Sequence, residues 1–151
     1  DPNFANYLYL PATHQVALLD LGSAGEYPAA LVASYRDACR AMLAGDDAAL
    51  RAAMFEIGYA HPDDPEAMIR NAADIIRLAC EPLGHPGPYD FAASGLAVRA
   101  RDLGFAVAFG KGLRSPPPAT MFLHRKLIGT FLICVKLRAR VNVHALIEKF
   151  L

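Results

Sequence analysis

Apolar residues form two short runs near the start of the chain. Residues 7–10 (YLYL) and 15–21 (QVALLDL) are apolar, and a Pro-Ala-Thr-His stretch separates them. Two such runs joined by turn-forming residues are typical of a β-hairpin. A two-stranded ribbon is marginally stable by itself, so this hairpin needs a neighbouring element to pack against.

After residue 27 the apolar positions recur at helical spacing. In residues 28–44, Leu31, Tyr35, Ala38 and Met42 fall on one face of a helix, and Gly45 is a typical end signal. The pattern predicts five more helices, at residues 47–59, 64–80, about 93–109, about 118–139 and 143–150. The predicted fold class is therefore mainly α, with one β-hairpin followed by about six helices.

Prolines and glycines set several of the predicted boundaries. Pro82 and Gly84 predict that the third helix ends near residue 80. The stretch HPDDP at residues 61–65 is interpreted as the loop that begins this helix, with Asp63 or Asp64 capping it. A metal site at His61, Asp63 and Asp64 is the less favoured alternative.

The composition is that of a folded domain with an uneven charge distribution. Apolar residues make up 54% of the chain and charged residues 20%, which argues against disorder. Residues 1–102 hold 14 acidic and 7 basic residues, whereas residues 103–151 hold 1 acidic and 8 basic residues. The basic part is suited to phosphates, anionic lipid or an acidic neighbour, or the two parts neutralise each other within one fold.

The cysteines and the apolar runs indicate where such a chain resides. The three cysteines have no metal-ligand spacing and lie in apolar stretches, so we expect reduced, buried thiols: Cys39, Cys80 and Cys134. Such thiols favour a cytoplasmic or mitochondrial matrix-side location. The apolar run at residues 127–135 is too short to span a bilayer as a helix, so no transmembrane segment is expected.

Because the first residue is not Met, we expect a piece or a processed form of a longer protein.

Three polar residues flank the predicted hairpin in an order that suggests phosphate chemistry. Asp1 and Asn6 have the offset of the D-x-x-x-x-N pair in a kinase catalytic loop. Asp20-Leu21-Gly22 follows the hairpin, where kinases carry the magnesium-binding D-F-G. Each feature alone is also a common turn motif. Only the order of all three around the hairpin makes the kinase-like interpretation as good as the interpretation that they are ordinary turn residues. The short connection from Asp20 to the first helix leaves no room for the long segment that supports peptide substrates.

The two ends of the chain resemble a known family. The stretches DPNFANYLYL, QVALLDLGSAGEYP and SPPPATMFLHRKLIGTFLICVKLRARVN resemble the UbiB family of atypical protein-kinase-like proteins, which includes the ADCK group. The PYDF stretch at residues 88–91 also fits, and the resemblance covers essentially the whole chain. It implies the C-terminal (large) lobe of a kinase-like domain over residues 1–151, truncated at the catalytic loop and without the N-lobe.

The resemblance also implies roles for individual residues. Asp1 matches the catalytic-loop aspartate, and Asn6 and Asp20 match the ligands that hold Mg²⁺ and thereby ATP. Glu26 and Tyr27 match a recurring Glu-Tyr pair. The implied function is that of an atypical kinase or ATPase that supports ubiquinone (coenzyme Q) biosynthesis, by Mg²⁺-dependent ATP hydrolysis or phosphoryl transfer.

The chain departs from the family pattern in several places. Leu21 stands where Phe is usual, Gly25 where Arg is common, and Ala119 where an acidic residue usually follows the prolines. The family's K-x-G-Q motif, alanine-rich nucleotide loop and ATP-contacting lysine all precede the part that this chain matches. We therefore expect residues 1–151 alone to bind MgATP poorly and to be inactive.

Two further interpretations stay open at this point. The alternative function is a non-catalytic, pseudokinase-like module that binds a lipid, a quinone precursor or a biosynthetic partner. Basic residues around the apolar stretch at 127–135 suggest contact with an anionic membrane surface, or else a solvated face: Lys126, Lys136, Arg138 and Arg140. His124-Arg125-Lys126 resembles H-R-D, but we expect His124 and Arg125 to pack within the fold. No nucleic-acid partner is expected.

Overall fold

The structure is a computed structural model that describes residues 2–22, 25–109 and 114–151, without the side chains of 106–109. A short 3₁₀ turn at Phe4–Asn6 leads into strand β1 (Tyr7–Leu10), which pairs antiparallel with β2 (Gln15–Leu18). Six α-helices follow within the described ranges, which confirms the predicted mainly α class. They are α1 (Ala29–Ala44), α2 (Asp47–Ile57), α3 (Glu66–Gly84), α4 (Leu96–Phe109), α5 (Pro118–Lys136) and α6 (Val143–Ile147).

The first three helices form the main hydrophobic core. Each buries an apolar stripe against the others, and Met54 of α2 lies at the centre with no exposed surface. Gly45 and Gly58 end α1 and α2 in the left-handed conformation, with φ of 66° and 88°. Asp46 begins α2 by accepting a hydrogen bond from the Ala49 amide at 2.9 Å. These local caps, at the end of α1 and at both ends of α2, explain why the two helices lie close to their predicted positions.

A second, smaller core lies beneath a short strand pair that the sequence pattern did not reveal. Strand β3 (Tyr89–Asp90) pairs antiparallel with β4 (Arg140–Val141). Tyr89, Phe91 and Leu96 are buried there, and Phe131 of α5 packs against them. This strand pair joins the PYDF stretch at residues 88–91 to the segment that follows α5, about 50 residues later in the chain.

Helix α3 is longer than predicted. It continues through Pro82 to Gly84, although proline removes one helical hydrogen bond. The Pro82 ring is fully buried, and the Leu83 carbonyl accepts a hydrogen bond from His144 Nδ1 at 2.9 Å. Burial and this tertiary bond offset the local cost, so the predicted end at residue 80 was wrong.

The predicted cap of α3 was also wrong. Pro65 precedes the helix, and within the described residues no side chain caps it. The Asp64 carboxylate instead accepts the His61 amide at 2.7 Å and two hydrogen bonds from Arg114. Arg114 holds the pKa of Asp64 below its usual value. This aspartate therefore fixes its own loop to the segment that precedes α5.

The strands of the hairpin are largely uncovered by the other described residues. Every residue of β1 and β2 is exposed except Ala17, which is part-buried. Strand β2 ends at Leu18, which is shorter than the apolar run at residues 15–21, so Asp20 follows the hairpin, as predicted. The three cysteines carry free thiols, as predicted, but they are part-buried and not buried.

Candidate functional site

The open end of the hairpin brings together two of the three predicted site residues. The Leu19 amide donates to the Asn6 carbonyl at 2.9 Å, one step beyond the Tyr7–Leu18 pair of the ladder. Asp20 follows Leu19 directly, so Asn6 and Asp20 lie at the same end of the hairpin. Asp1, the predicted catalytic residue, lies outside the described residues.

The backbone around Asn6 forms a tight turn. The Asn6 amide donates to the Asn3 carbonyl at 2.9 Å, and the Asn3 side chain accepts the Ala5 amide at 3.2 Å. Asn3 therefore caps the 3₁₀ turn that ends at Asn6. Asn6 is part-buried. Its backbone is held by two hydrogen bonds, one within this turn and one to Leu19 across the ladder.

The Asp20 carboxylate is exposed and held by the backbone. Its Oδ1 accepts a hydrogen bond from the Gly22 amide at 2.8 Å. A side chain at position 22 would place its Cβ 3.1 Å from that same oxygen. Gly22 thus orients the carboxylate and leaves room for it, a role that sequence reasoning missed, although the D-x-G order contained the signal.

The donor set at this end suits a hard divalent cation. Mg²⁺ is usually held by one or two protein oxygens and by the phosphates of its substrate, with water completing the shell. The oriented, exposed Asp20 carboxylate and the carboxamide of Asn6, a residue at the same end of the hairpin, are ligands of this type. Among the described residues, no group of three or more His, Cys, Asp or Glu side chains forms a self-sufficient metal site.

A second polar cluster connects three helices away from the hairpin. Tyr59, just after α2, is hydrogen-bonded to Tyr35 of α1 and to His124 of α5, and its ring stacks on the His124 ring with centroids 5.5 Å apart. Burial raises the pKa of Tyr59 and lowers the pKa of His124, which favours the neutral form of the imidazole. His124 thus packs within the fold, as predicted.

The four basic residues proposed to meet a membrane divide into two pairs. The Lys136 ammonium lies 4.1 Å from the centroid of the Phe4 ring, and Arg140 lies 3.7 Å from the Asp90 carboxylate. Lys126 and Arg138 are exposed and form no ion pair with another described residue. No helix in the described part of the chain is long and apolar enough to cross a membrane.

Comparison with known proteins gives a consistent set of relatives. No protein-family model matches the chain. The rat mitochondrial atypical kinase COQ8B is 31% identical over 148 residues, which are 98% of this chain and 28% of the rat protein. The Schizosaccharomyces pombe mitochondrial atypical kinase COQ8 is 32% identical over 156 residues, covering 100% of this chain and 25% of the yeast protein. Zebrafish COQ8B is 28% identical over 142 residues, 94% of this chain and 23% of that protein.

These matches cover this chain almost completely but only part of each relative. The chain spans about a quarter of the length of the curated relatives that it matches. The relatives share the name atypical kinase, and the hairpin followed by six helices is consistent with a kinase-like C-terminal lobe. The chain belongs to the UbiB family of atypical kinases, together with the COQ8 proteins.

Proposed function

We propose that this chain is the C-terminal lobe of an ATP-using protein, in which Asp20 and Asn6 hold the Mg²⁺ of MgATP. The carrying observation is the hydrogen bond from the Leu19 amide to the Asn6 carbonyl, which sets Asn6 beside the residue that precedes Asp20. The exposed carboxylate, oriented by the Gly22 amide, supports the same proposal. Asp1 is proposed as the catalytic aspartate, near the γ-phosphate, from the resemblance alone.

The proposed reaction is Mg²⁺-dependent ATP hydrolysis or phosphoryl transfer. Bound Mg²⁺ neutralises charge on the transferring phosphoryl group, which is the main requirement of this chemistry. The chain's own contribution is placement, because the ladder bond fixes the Asn6 backbone and the Gly22 amide orients the Asp20 carboxylate before the nucleotide binds. Fixed ligands of this kind lower the reorganisation needed in the transition state.

A peptide substrate is disfavoured by the length of one connection. Helix α1 begins at Ala29, so only residues 21–28 separate it from Asp20. Protein kinases use a long activation segment at this point to support a peptide. We propose that the acceptor is water or a small molecule, in a protein that supports ubiquinone biosynthesis on the cytoplasmic or mitochondrial matrix side.

The alternative is a non-catalytic module that binds a lipid, a quinone precursor or a biosynthetic partner. For a membrane-facing role, all four basic residues are exposed, although Lys136 lies over the Phe4 ring and Arg140 lies near the Asp90 carboxylate. The non-catalytic alternative assigns no role to the oriented Asp20 carboxylate. Hydrolysis by the complete protein separates the two functions.

The experiment compares Asp20→Asn with Asp63→Asn in the complete protein. Asp63 is a matched control because its carboxylate is 90% exposed and lies in a loop remote in sequence from the hairpin. We expect Asp20→Asn to lower the rate of ATP hydrolysis by about 100-fold or more, because it removes a charged ligand of the neutralising ion. Asp63→Asn should hydrolyse ATP at the wild-type rate. Equal rates in wild type and Asp20→Asn would refute the assignment.

A further inference from the structure

Helix α5 passes unusually close to the segment that leads into the hairpin. A Cβ atom built on Gly129 would lie 2.6 Å from Pro2 Cγ and 2.8 Å from the Pro2 carbonyl oxygen. The second of these atoms belongs to the backbone, so it cannot turn away as a flexible side chain can. Any side chain at position 129 therefore has to displace residue 2 or the helix.

Another glycine shows that a helical position alone does not require this residue. Gly104 also lies inside a helix, α4, and a Cβ built there has no atom within 4 Å. Glycine within a helix lowers the folding equilibrium constant by about four- to fivefold relative to alanine. The contact with Pro2 is a physical reason for glycine at position 129 that Gly104 does not share.

A second contact lies two helical turns further along the same face of α5. Lys136 is seven residues after Gly129, and its ammonium lies over the Phe4 ring. The segment Pro2–Phe4 is therefore held at two points on α5, by close backbone approach at Gly129 and by a cation–π contact at Lys136.

The same segment is coupled directly to Asn6. The Asn3 carbonyl accepts the Asn6 amide, and the Asn3 side chain accepts the Ala5 amide, so residues 3–6 form one hydrogen-bonded turn. Asn6 then accepts the Leu19 amide beside Asp20. A shift of residue 2 is consequently transmitted through this turn to the open end of the hairpin.

We propose that Gly129 is a positioning residue, which seats the Pro2–Phe4 segment on α5 and thereby sets where the Asn6 carboxamide lies. The inference rests on the proposed magnesium-nucleotide function of Asn6 and Asp20. It assigns to α5 a role in the site that neither the sequence pattern nor the relatives' names indicate.

The test uses Gly129→Ala in the complete protein, with Gly104→Ala as the matched control. Hydrogen exchange of the amides in residues 3–8 reports whether the Pro2–Phe4 segment is packed on α5, and the measurement does not require enzymatic activity. We expect exchange there to become at least tenfold faster in Gly129→Ala, and the Mg²⁺ concentration for half-maximal ATP hydrolysis to rise several-fold. Gly104→Ala should match wild type in both measurements.

A milder variant guards against misfolding of Gly129→Ala. Lys136→Met keeps the length of the side chain but removes the charge over Phe4, so the Mg²⁺ requirement should rise by about two- to fivefold. The control is Lys149→Met, because Lys149 lies over the Phe150 ring at 5.1 Å, elsewhere in the chain. The control should leave the Mg²⁺ requirement unchanged.

Each result decides the proposal. Unchanged exchange in residues 3–8 of Gly129→Ala would refute the claim that Gly129 holds the Pro2–Phe4 segment on α5. Faster exchange with an unchanged Mg²⁺ requirement would refute the claim that this contact positions Asn6. If the wild-type protein shows no Mg²⁺-dependent hydrolysis, the proposed function fails. Exchange then still decides whether Gly129 seats the segment, because that measurement does not depend on activity.

Discussion

The Tyr59 hydroxyl and the His124 ring link α2 to α5 across 65 residues of sequence. Sequence reasoning expected His124 to pack within the fold, because the residue lies in an apolar helical stretch. It did not identify Tyr59 or Tyr35 as partners, since nothing local to a tyrosine indicates which distant side chain its hydroxyl reaches. Asn6 and Asp20 were predictable as a pair because a hairpin is a local structure with a definite register.

His124 predicts a pH dependence of stability. Burial lowers the pKa of His124 in the folded protein below its value of about 6.5 in the unfolded chain. As the pH falls below about 6.5, the unfolded chain takes up the proton first, so the free energy of unfolding decreases. We expect wild type to be less stable at pH 5.5 than at pH 7.5, measured by urea denaturation.

Two histidine variants isolate this effect. His124→Gln removes the buried titration and should lose less stability between pH 7.5 and 5.5 than wild type loses. His14→Gln should behave like wild type, because His14 is exposed on the hairpin. Equal losses in all three proteins would show that His124 is not the cause.

Among the elements, boundaries set by local caps were predictable and those set by tertiary contacts were not. Gly45 and the Asp46 cap fixed the junction of α1 and α2 from the sequence alone. The extension of α3 through Pro82 depends on burial of the proline ring and on His144, which comes from α6. The two-residue strands β3 and β4 are too short to leave a periodic pattern.

The two left-handed C-caps predict different mutational costs. Alanine at Gly45 incurs only the left-handed backbone strain, about 1–2 kcal/mol, because no atom lies within 4 Å of the new Cβ. Alanine at Gly58 incurs the same strain and also a contact at 3.0 Å with Pro117 Cγ, in the segment that begins α5. We expect Gly58→Ala to reduce the free energy of unfolding by about 1 kcal/mol more than Gly45→Ala. Equal losses in urea denaturation would mean that the Pro117 contact relaxes freely.

At the scale of the whole molecule, two cores hold the helices together, and the strands of the hairpin belong to neither core and are largely exposed. The fold class could be predicted from the sequence, because it depends on periodicity, and so could the placement of Asn6 and Asp20 at one end of the hairpin, because it depends on short spacings. The close approach of α5 to Pro2 could not be predicted, because Gly129 and Pro2 are far apart in the chain and no local pattern links them. The proposed site therefore combines a local hairpin with a distant helix.

The central claim is that Asp20 and Asn6 hold the metal of a metal–nucleotide complex. The most direct test titrates Mn²⁺, a paramagnetic substitute for Mg²⁺, into the complete protein with ATP and follows the free Mn²⁺ signal by electron paramagnetic resonance. We predict one ATP-dependent Mn²⁺ site in wild type and in Asp63→Asn. Its affinity should fall at least tenfold in Asp20→Asn and to a smaller extent in Asn6→Ala. An ATP-dependent Mn²⁺ site of wild-type affinity in Asp20→Asn would contradict the account.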